Sequence, residues 1–203
     1  MTMTPDPIRI TRELATVTIT FNRPELHNAF DDRLISELQS ALDEIARDDS
    51  VRLVIIRGAG PSFSAGADLN WMRRMAQASE ADNHADALAL AQLLRRLDTL
   101  PQATIARVQG AALGGGMGIV SCCDLVIADE SAVFGLTEVH LGLIPAVISP
   151  YVVAKIGPGQ ARALAVSGKR IRAPLAHTLG LVNECVSTEQ LDEAVAKTAK
   201  LVL

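Results

Sequence analysis

The sequence predicts an α/β fold, because strand-like runs and helix-like stretches alternate along its whole length. The strand-like runs are short and rich in β-branched residues, and the stretches between them repeat apolar residues at helical spacing. A chain of 203 residues with 49% apolar and 21% charged residues has a globular composition and is long enough for one sizeable core. We therefore expect a single domain over residues 1–203.

The first half of the chain predicts two strands and two helices. Residues 17–21 alternate apolar and polar side chains, which indicates a half-buried strand, whereas residues 51–56 are mostly apolar, which indicates a strand buried on both faces. A helix is expected at residues 81–97, with leucines along one side. An earlier helix can be capped by Asp31 or Asp32, and its apolar residues recur at three- and four-residue spacing: Leu34, Leu38, Leu42 and Ile45.

The second half continues the alternation and ends in a helix without a terminating glycine or proline. The predicted strands are residues 104–108, 124–128 and 181–186. The predicted helices are residues 150–156, 160–167, 174–179 and 191–203. Because the last amphipathic pattern is uninterrupted at residue 203, we expect a further C-terminal helical segment to be missing from the sequence given.

The most informative segment is residues 110–118, where three consecutive glycines, Gly114 to Gly116, separate a strand from a helix. Such a turn lets another molecule approach the backbone, and the first N–H groups of a helix favour a small anion. Met117 and Gly118 stand where a phosphate-binding P-loop needs Lys and Ser or Thr, so the segment is not a P-loop. An oxyanion site and a tight turn that only packs helix against strand are both consistent with the local sequence.

A second turn of small residues, 63–69, also joins a strand to a helix. If the N–H groups of Ala67 and Gly115 point at one spot, they form an oxyanion hole with two donors. Glu138 is the candidate acid or base, because it is a lone acidic residue in an otherwise apolar run. An exposed glutamate at a strand end is the simpler interpretation of the same local sequence.

The composition argues against several other classes of function. The net charge of −4 gives no reason to expect nucleic-acid binding, and the longest apolar run is too short for a membrane span of roughly 20 residues. The N-terminal residues lack a signal-peptide pattern, and three cysteines make no disulfide framework, so we expect a cytoplasmic protein. No metal site is expected, because the histidines are scattered: His27, His84, His140 and His177.

Four segments together resemble the crotonase family, the enoyl-CoA hydratase/isomerase superfamily. They are residues 22–24 with 28–29, residues 63–69, residues 110–124, and residues 134–138 with 141–142 and 144–145. The resemblance covers essentially the whole chain. It implies a crotonase-like spiral of repeated β-β-α turns, an acyl-CoA thioester as substrate, and a homotrimer or hexamer. Coenzyme A would be part of the substrate, so no separate cofactor is expected.

The resemblance also implies roles for individual residues. The N–H groups of Ala67 and Gly115 would bind the thioester carbonyl oxygen, and Glu138 would be the catalytic acid or base. Gly118 stands where typical hydratases carry a second glutamate, so this chain keeps one of the two carboxylates. The CoA would lie along the backbone of the second turn, at Ser64, Ala65, Ala67, Asp68 and Leu69.

A finer resemblance favours a particular substrate. Residues 116–119 and 134–152 are similar to those of methylglutaconyl-CoA and isohexenylglutaconyl-CoA hydratases, enzymes of leucine and acyclic terpene breakdown. We therefore expect hydration of a branched, glutaconyl-type enoyl-CoA. Two alternatives are a Δ3-Δ2 enoyl-CoA isomerase that uses one glutamate, and a CoA-thioester-binding protein with little catalysis. His140 either binds a substrate carboxylate or is a solvated or interface side chain.

Overall fold

A computed structural model describes residues 6–203 and has the α/β architecture that the sequence predicts. Residues 1–5, the start of the segment without a signal-peptide pattern, lie outside the described residues. Within residues 6–203 the strands are β1 (Ile8–Glu13), β2 (Thr16–Phe21), β3 (Leu53–Gly58), β4 (Ala103–Val108), β5 (Ala111–Leu113), β6 (Leu125–Asp129), β7 (Val133–Gly135), β8 (Ile171–Arg172) and β9 (Glu184–Val186). The helices are α1 (Asp32–Ile45), α2 (Leu69–Met75), α3 (Glu80–Asp98), α4 (Gly115–Cys122), α5 (Ser149–Ser167), α6 (Ala173–Thr178) and α7 (Leu191–Val202).

Most predicted elements are confirmed, but β1 and the short strands β5, β7 and β8 were not predicted. Strand β1 was not predicted, because only Ile8 of its six residues is buried and no alternating pattern results. The two helices predicted at residues 150–156 and 160–167 are confirmed, because α5 is interrupted at Gly157, where the non-helical φ of 76° and ψ of 159° divide it into two helical stretches. Asp31 rather than Asp32 caps α1, since its side chain accepts the Leu34 N–H at 2.9 Å.

Two sheets organise the chain. The large sheet has the order β1-β2-β3-β4-β6-β9 and is parallel apart from β1, which runs antiparallel to β2. The small sheet has the order β5-β7-β8. Strand β3 is buried on both faces, as predicted: Val54 and Ile56 belong to the main core, whereas Leu53 packs in a smaller core with Leu191 of α7. No helix within residues 6–203 has the length and apolarity needed to cross a membrane.

Successive turns of the chain stack on one another beside the large sheet. Phe30 forms a parallel bridge with Ala67, and Ser64 forms another with Ala112 in β5. Strand β5 then pairs in parallel with β7. Each turn therefore adds a strand to the large sheet and a short segment to a second layer, which is the arrangement of a spiral.

Buried polar side chains hold the turn at residues 59–68 in place. Asn28 is fully buried, and its Nδ2 donates to the carbonyl oxygens of Ala59 and Ser62, both at 2.8 Å. The Arg23 guanidinium pairs with Asp68 at 3.0 Å and with Asp31 at 2.8 Å. These side-chain contacts fix the backbone of the turn in place.

Asp68 has a second role, as the N-cap of α2. Its Oδ1 accepts the N–H groups of Asn70 at 2.8 Å and Trp71 at 3.1 Å. Burial raises the pKa of Asp68, but these two N–H groups and Arg23 outweigh it and keep the pKa below its usual range. Asp68 is therefore ionised near neutral pH and joins α2 to the preceding turn.

We predict that replacing Asp68 with alanine lowers the free energy of unfolding by about 1–3 kcal/mol, because it removes a helix cap and a partly buried ion pair. Urea unfolding followed by circular dichroism measures the change. Glu37→Ala is the control, since its ion pair with Arg33 is on the surface and should contribute less than about 0.5 kcal/mol. Equal effects of the two substitutions would contradict this account of the turn.

Candidate active site

A cavity of about 520 Å³ lies between the two small-residue turns and the segment after β7. Ala67 lines it from the first turn, Gly115 from the second, and Glu138 from the segment after β7. Most of the remaining lining is apolar. Among the described residues that line this cavity, Glu138 carries the one carboxyl group.

The two turns are in direct backbone contact. A Cβ on Gly66, where φ is 97°, would lie 3.1 Å from the Leu113 carbonyl oxygen. A Cβ on Gly116 would lie 2.8 Å from the carbonyl oxygen of Ser64. Both distances are too short for an ordinary side-chain contact, so the absence of side chains at Gly66 and Gly116 is what brings Ala67 and Gly115 to one cavity.

The N–H groups of Ala67 and Gly115 make no hydrogen bond within residues 6–203. On either side of Ala67, the Phe30 N–H donates to the Gly66 carbonyl at 2.7 Å, and the Asp68 N–H donates to the Phe30 carbonyl at 2.8 Å. Gly115 is the first residue of α4, so its N–H has no partner within the helix and lies at the positive end of the helix dipole. Two free donors can thus serve an anion in the cavity.

Glu138 begins a short 3-10 helix, Glu138–Leu141, that ends at Gly142 with φ of 70°. Its Oε1 is 3.3 Å from the position that a Cβ on Gly114 would occupy. Its Oε2 is buried and has no hydrogen-bond partner within the described residues. Burial raises the pKa of Glu138, its own backbone N–H offsets only part of the rise, and no cation within residues 6–203 offsets the remainder. A desolvated carboxyl group of this kind is suited to accept and return a proton.

A second cavity, of about 620 Å³, adjoins the first and shares Ala67 and Trp71 with it. The Trp71 Nε1 is buried and makes no hydrogen bond of ordinary geometry within residues 6–203. Burial raises the pKa of Asp86, which also lines this cavity, and the nearby indole offsets part of the rise. The lining of this second cavity is therefore largely apolar. Its polar groups include the Trp71 indole N–H and the Asp86 carboxyl, which interact only weakly with each other.

Comparison with known proteins identifies the family. The sequence model of the enoyl-CoA hydratase/isomerase family matches residues 11–203. The chain belongs to the enoyl-CoA hydratase/isomerase family. It is 37% identical to a putative enoyl-CoA hydratase of Thermus thermophilus over 185 residues, which cover 88% of this chain and 73% of that protein. It is 34% identical to the 1,2-epoxyphenylacetyl-CoA isomerase of Escherichia coli over 191 residues, which cover 93% of this chain and 72% of that protein.

Solved structures of the family confirm the predicted crotonase fold. A putative enoyl-CoA hydratase/isomerase (crotonase) of Legionella pneumophila superimposes with a TM-score of 0.93 at 43% identity, covering 97% of this chain and 76% of that chain. The chain spans between 62% and 73% of the length of eight curated relatives. The fold and the family thus agree with the sequence analysis.

Within this family fold, five of the residues selected from the sequence line the first cavity: Ala65, Ala67, Leu69, Gly115 and Glu138. The other three lie beside it. Ser64 is buried and its Oγ accepts the Gly66 N–H at 3.2 Å, while Asp68 caps α2. Gly118 is buried inside α4, and the side chain nearest to it belongs to Ile148.

Sequence reasoning missed several lining residues of this family member. Ile148 and Trp71 line the first cavity but carry no pattern that distinguishes them from core residues. Arg170 lines the first cavity as well, although it is distant in sequence from the segments that resemble the crotonase family. Its guanidinium makes no ion pair within residues 6–203. His140 was not missed, since the sequence indicates either a ligand of a substrate carboxylate or a solvated or interface side chain at this position. It lines the cavity, and its Nε2 is 3.1 Å from the Gly168 carbonyl oxygen, which gives it a structural partner.

The raised pKa of Glu138 predicts how stability depends on pH. Because the folded-state pKa exceeds the unfolded-state value, the Glu138 carboxyl destabilises the folded protein progressively as pH rises through that pKa. Glu138→Gln should therefore raise the melting temperature at pH 8, and this gain should disappear towards pH 4. Melting curves of both proteins between pH 4 and pH 8 measure the difference.

Glu189→Gln is the matched control for this pH series. Its own backbone N–H and Ser187 lower the pKa of the exposed Glu189 carboxyl, so the sign is reversed. Glu189→Gln should reduce the melting temperature slightly near neutral pH and have no effect in acid. A gain from Glu138→Gln that grew as the pH fell would be inconsistent with a buried, raised-pKa carboxyl.

Proposed function

We propose that this protein adds water across the double bond of an enoyl-CoA thioester. The observation that carries the proposal is the meeting of two unpaired backbone N–H groups and one desolvated carboxyl group in a single cavity. In the proposal, Ala67 and Gly115 form an oxyanion hole and Glu138 is the acid and base. Membership of the enoyl-CoA hydratase/isomerase family supports this assignment.

The oxyanion hole acts on the charge that develops during addition. As water adds to Cβ, the π electrons move towards the thioester, and its carbonyl oxygen becomes an enolate oxygen. Donors fixed by the backbone are already oriented for that charge, so they stabilise the transition state more than the ground state. The loss of one donor from such a site typically costs roughly 3–4 kcal/mol.

Glu138 would move one proton through the reaction. As a carboxylate it takes a proton from the attacking water while the oxygen forms its bond to Cβ. The resulting carboxylic acid then gives that proton to Cα, and the enolate collapses to the saturated thioester. A pKa raised by burial suits both steps, because neither the loss nor the gain of the proton is then strongly unfavourable.

We propose a branched, glutaconyl-type acyl group as the substrate, of the kind formed in leucine or terpene breakdown. The Arg170 guanidinium at the same cavity can attract a second carboxylate on the substrate. That carboxylate could help to orient the water, since Glu138 is the one carboxyl that the described lining supplies. An amide-capped analogue that reacts as fast as the acid would disprove this use of the substrate carboxylate.

The CoA part would lie along the backbone of residues 64–69, where Ala65 and Leu69 are exposed beside the cavity. We also propose a homotrimer or hexamer. Leu141, Leu143 and Ile144 near the cavity mouth expose half or more of their surface, which supports a partner surface there. Sedimentation velocity would test the assembly, and a monomer at micromolar concentration would exclude it.

A Δ3-Δ2 enoyl-CoA isomerase is the second candidate. One acid is sufficient to move a proton between two carbon atoms, and the described lining of the first cavity contains one. Membership of a family that is named for both hydratases and isomerases supports this alternative.

Mass analysis of reaction products separates the candidates. The panel is crotonyl-CoA, 3-methylglutaconyl-CoA, isohexenylglutaconyl-CoA and a 3-enoyl-CoA. We expect a glutaconyl substrate to gain the mass of one water. A product of unchanged mass with a shifted double bond would establish the isomerase instead, and binding without turnover would leave a thioester-binding protein.

We further predict that Glu138→Gln lowers kcat at least about a hundredfold with little change in substrate binding, because it removes the group that carries the proton. Steady-state kinetics and calorimetric titration with a saturated acyl-CoA measure the two effects. Glu193→Gln, on the exposed face of α7, is the control and should leave both unchanged. Full activity of Glu138→Gln would show that Glu138 does not carry the proton in the reaction.

A further inference from the structure

One buried position on α4, Gly118, carries no side chain. Gly118 lies one helical turn beyond Gly114, and its N–H donates to the Gly114 carbonyl at 3.0 Å. The Cα–Cβ bond of a helical residue tilts towards the N-terminus of its helix. A side chain at position 118 would therefore extend back towards Gly114, beside which the Glu138 carboxyl lies.

Ile148 fills the space that such a side chain would need. A Cβ on Gly118 would lie 2.6 Å from Ile148 Cγ2 and 3.1 Å from Ile148 Cβ, which is closer than packed carbon atoms allow. Ile148 is 3% exposed and lines the first cavity. Its carbonyl accepts the Val152 N–H at 3.2 Å at the start of α5, so its backbone is anchored and cannot easily withdraw.

We propose that Ile148 is a specificity-determining residue of this site. By packing on Gly118, its side chain makes this wall of the cavity aliphatic and excludes a second polar side chain from the neighbourhood of Glu138. The cavity is thereby suited to an acyl group with an apolar branch at this wall, and Glu138 has to carry the proton alone. The inference rests on the proposed hydration reaction. It attributes a preference of the enzyme for branched over straight-chain substrates to the contact between Ile148 and Gly118.

The contact itself is tested by a double-mutant cycle on stability. Gly118→Ala should lower the melting temperature of the otherwise unchanged protein by about 2–12 °C, because it overpacks the site. In the Ile148→Ala background the same change should be neutral or stabilising, since alanine favours a helix over glycine once the clash is gone. An equal effect in both backgrounds would overturn the inference.

The specificity is tested by building the second acid. Gly118→Glu alone should gain no activity towards crotonyl-CoA, because Ile148 blocks the new side chain. Gly118→Glu combined with Ile148→Ala should favour crotonyl-CoA. The ratio of its kcat/KM to that of 3-methylglutaconyl-CoA should rise at least about tenfold relative to Ile148→Ala alone, because two carboxyl groups can divide the tasks of activating water and delivering the proton. An unchanged ratio would contradict the role of Ile148.

Val147→Ala combined with Gly118→Glu is the matched control. Val147 also lines the cavity, but the side chains nearest to Gly118 are those of Ile148 and Leu94, so this variant should not relieve the clash. A gain there equal to that of the Ile148→Ala combination would overturn the inference. Failure of the wild type on every thioester would instead refute the proposed function, whereas the stability cycle would still decide whether Ile148 and Gly118 exclude each other.

Discussion

The backbone contact between residues 64–67 and residues 113–116 is the constraint on which the rest of the site depends. It places a free N–H from each turn at one cavity, although the two segments come from different turns of the spiral. Side chains at Gly66 or Gly116 would separate the turns, because their Cβ atoms would meet backbone oxygen atoms. The hydrogen bonds of Asn28 and the ion pairs of Arg23 fix the position of the first turn. The fold itself thus leaves an N–H group without a hydrogen bond at each of two residues that line the cavity.

The electrostatics of the cavity follow from the same arrangement. The N-terminus of α4 and the free N–H groups favour negative charge, while Glu138 is desolvated and has no cation partner among the described residues. Burial therefore raises the pKa of the Glu138 carboxyl, in the same cavity as N–H groups that favour an anion. This combination suits chemistry in which a proton moves while charge develops on a carbonyl oxygen. The aliphatic wall formed by Ile148 limits how many polar groups take part.

Much of this could be predicted from the sequence because the relevant residues break a local pattern. Three consecutive glycines, a turn of small residues and a lone glutamate in an apolar run are each visible without a structure, and the cavity brings Ala67, Gly115 and Glu138 together. The Gly118–Ile148 contact could not be predicted, because it joins two helices and Ile148 looks like any other core residue. The cap and ion pair of Asp68 could not be predicted either, because the ion pair depends on Arg23, which is distant in sequence. The place of Asp68 beside the CoA stays a prediction.

The most direct test of the central claim is a crystal structure with a saturated acyl-CoA thioester bound. The account predicts the thioester carbonyl oxygen at about 2.7–3.1 Å from both the Ala67 and the Gly115 nitrogen atoms. It also predicts that the Glu138 carboxyl lies beside Cα and Cβ of the acyl group. A carbonyl oxygen bound away from these two nitrogen atoms, or a Glu138 carboxyl turned out of the cavity, would contradict it.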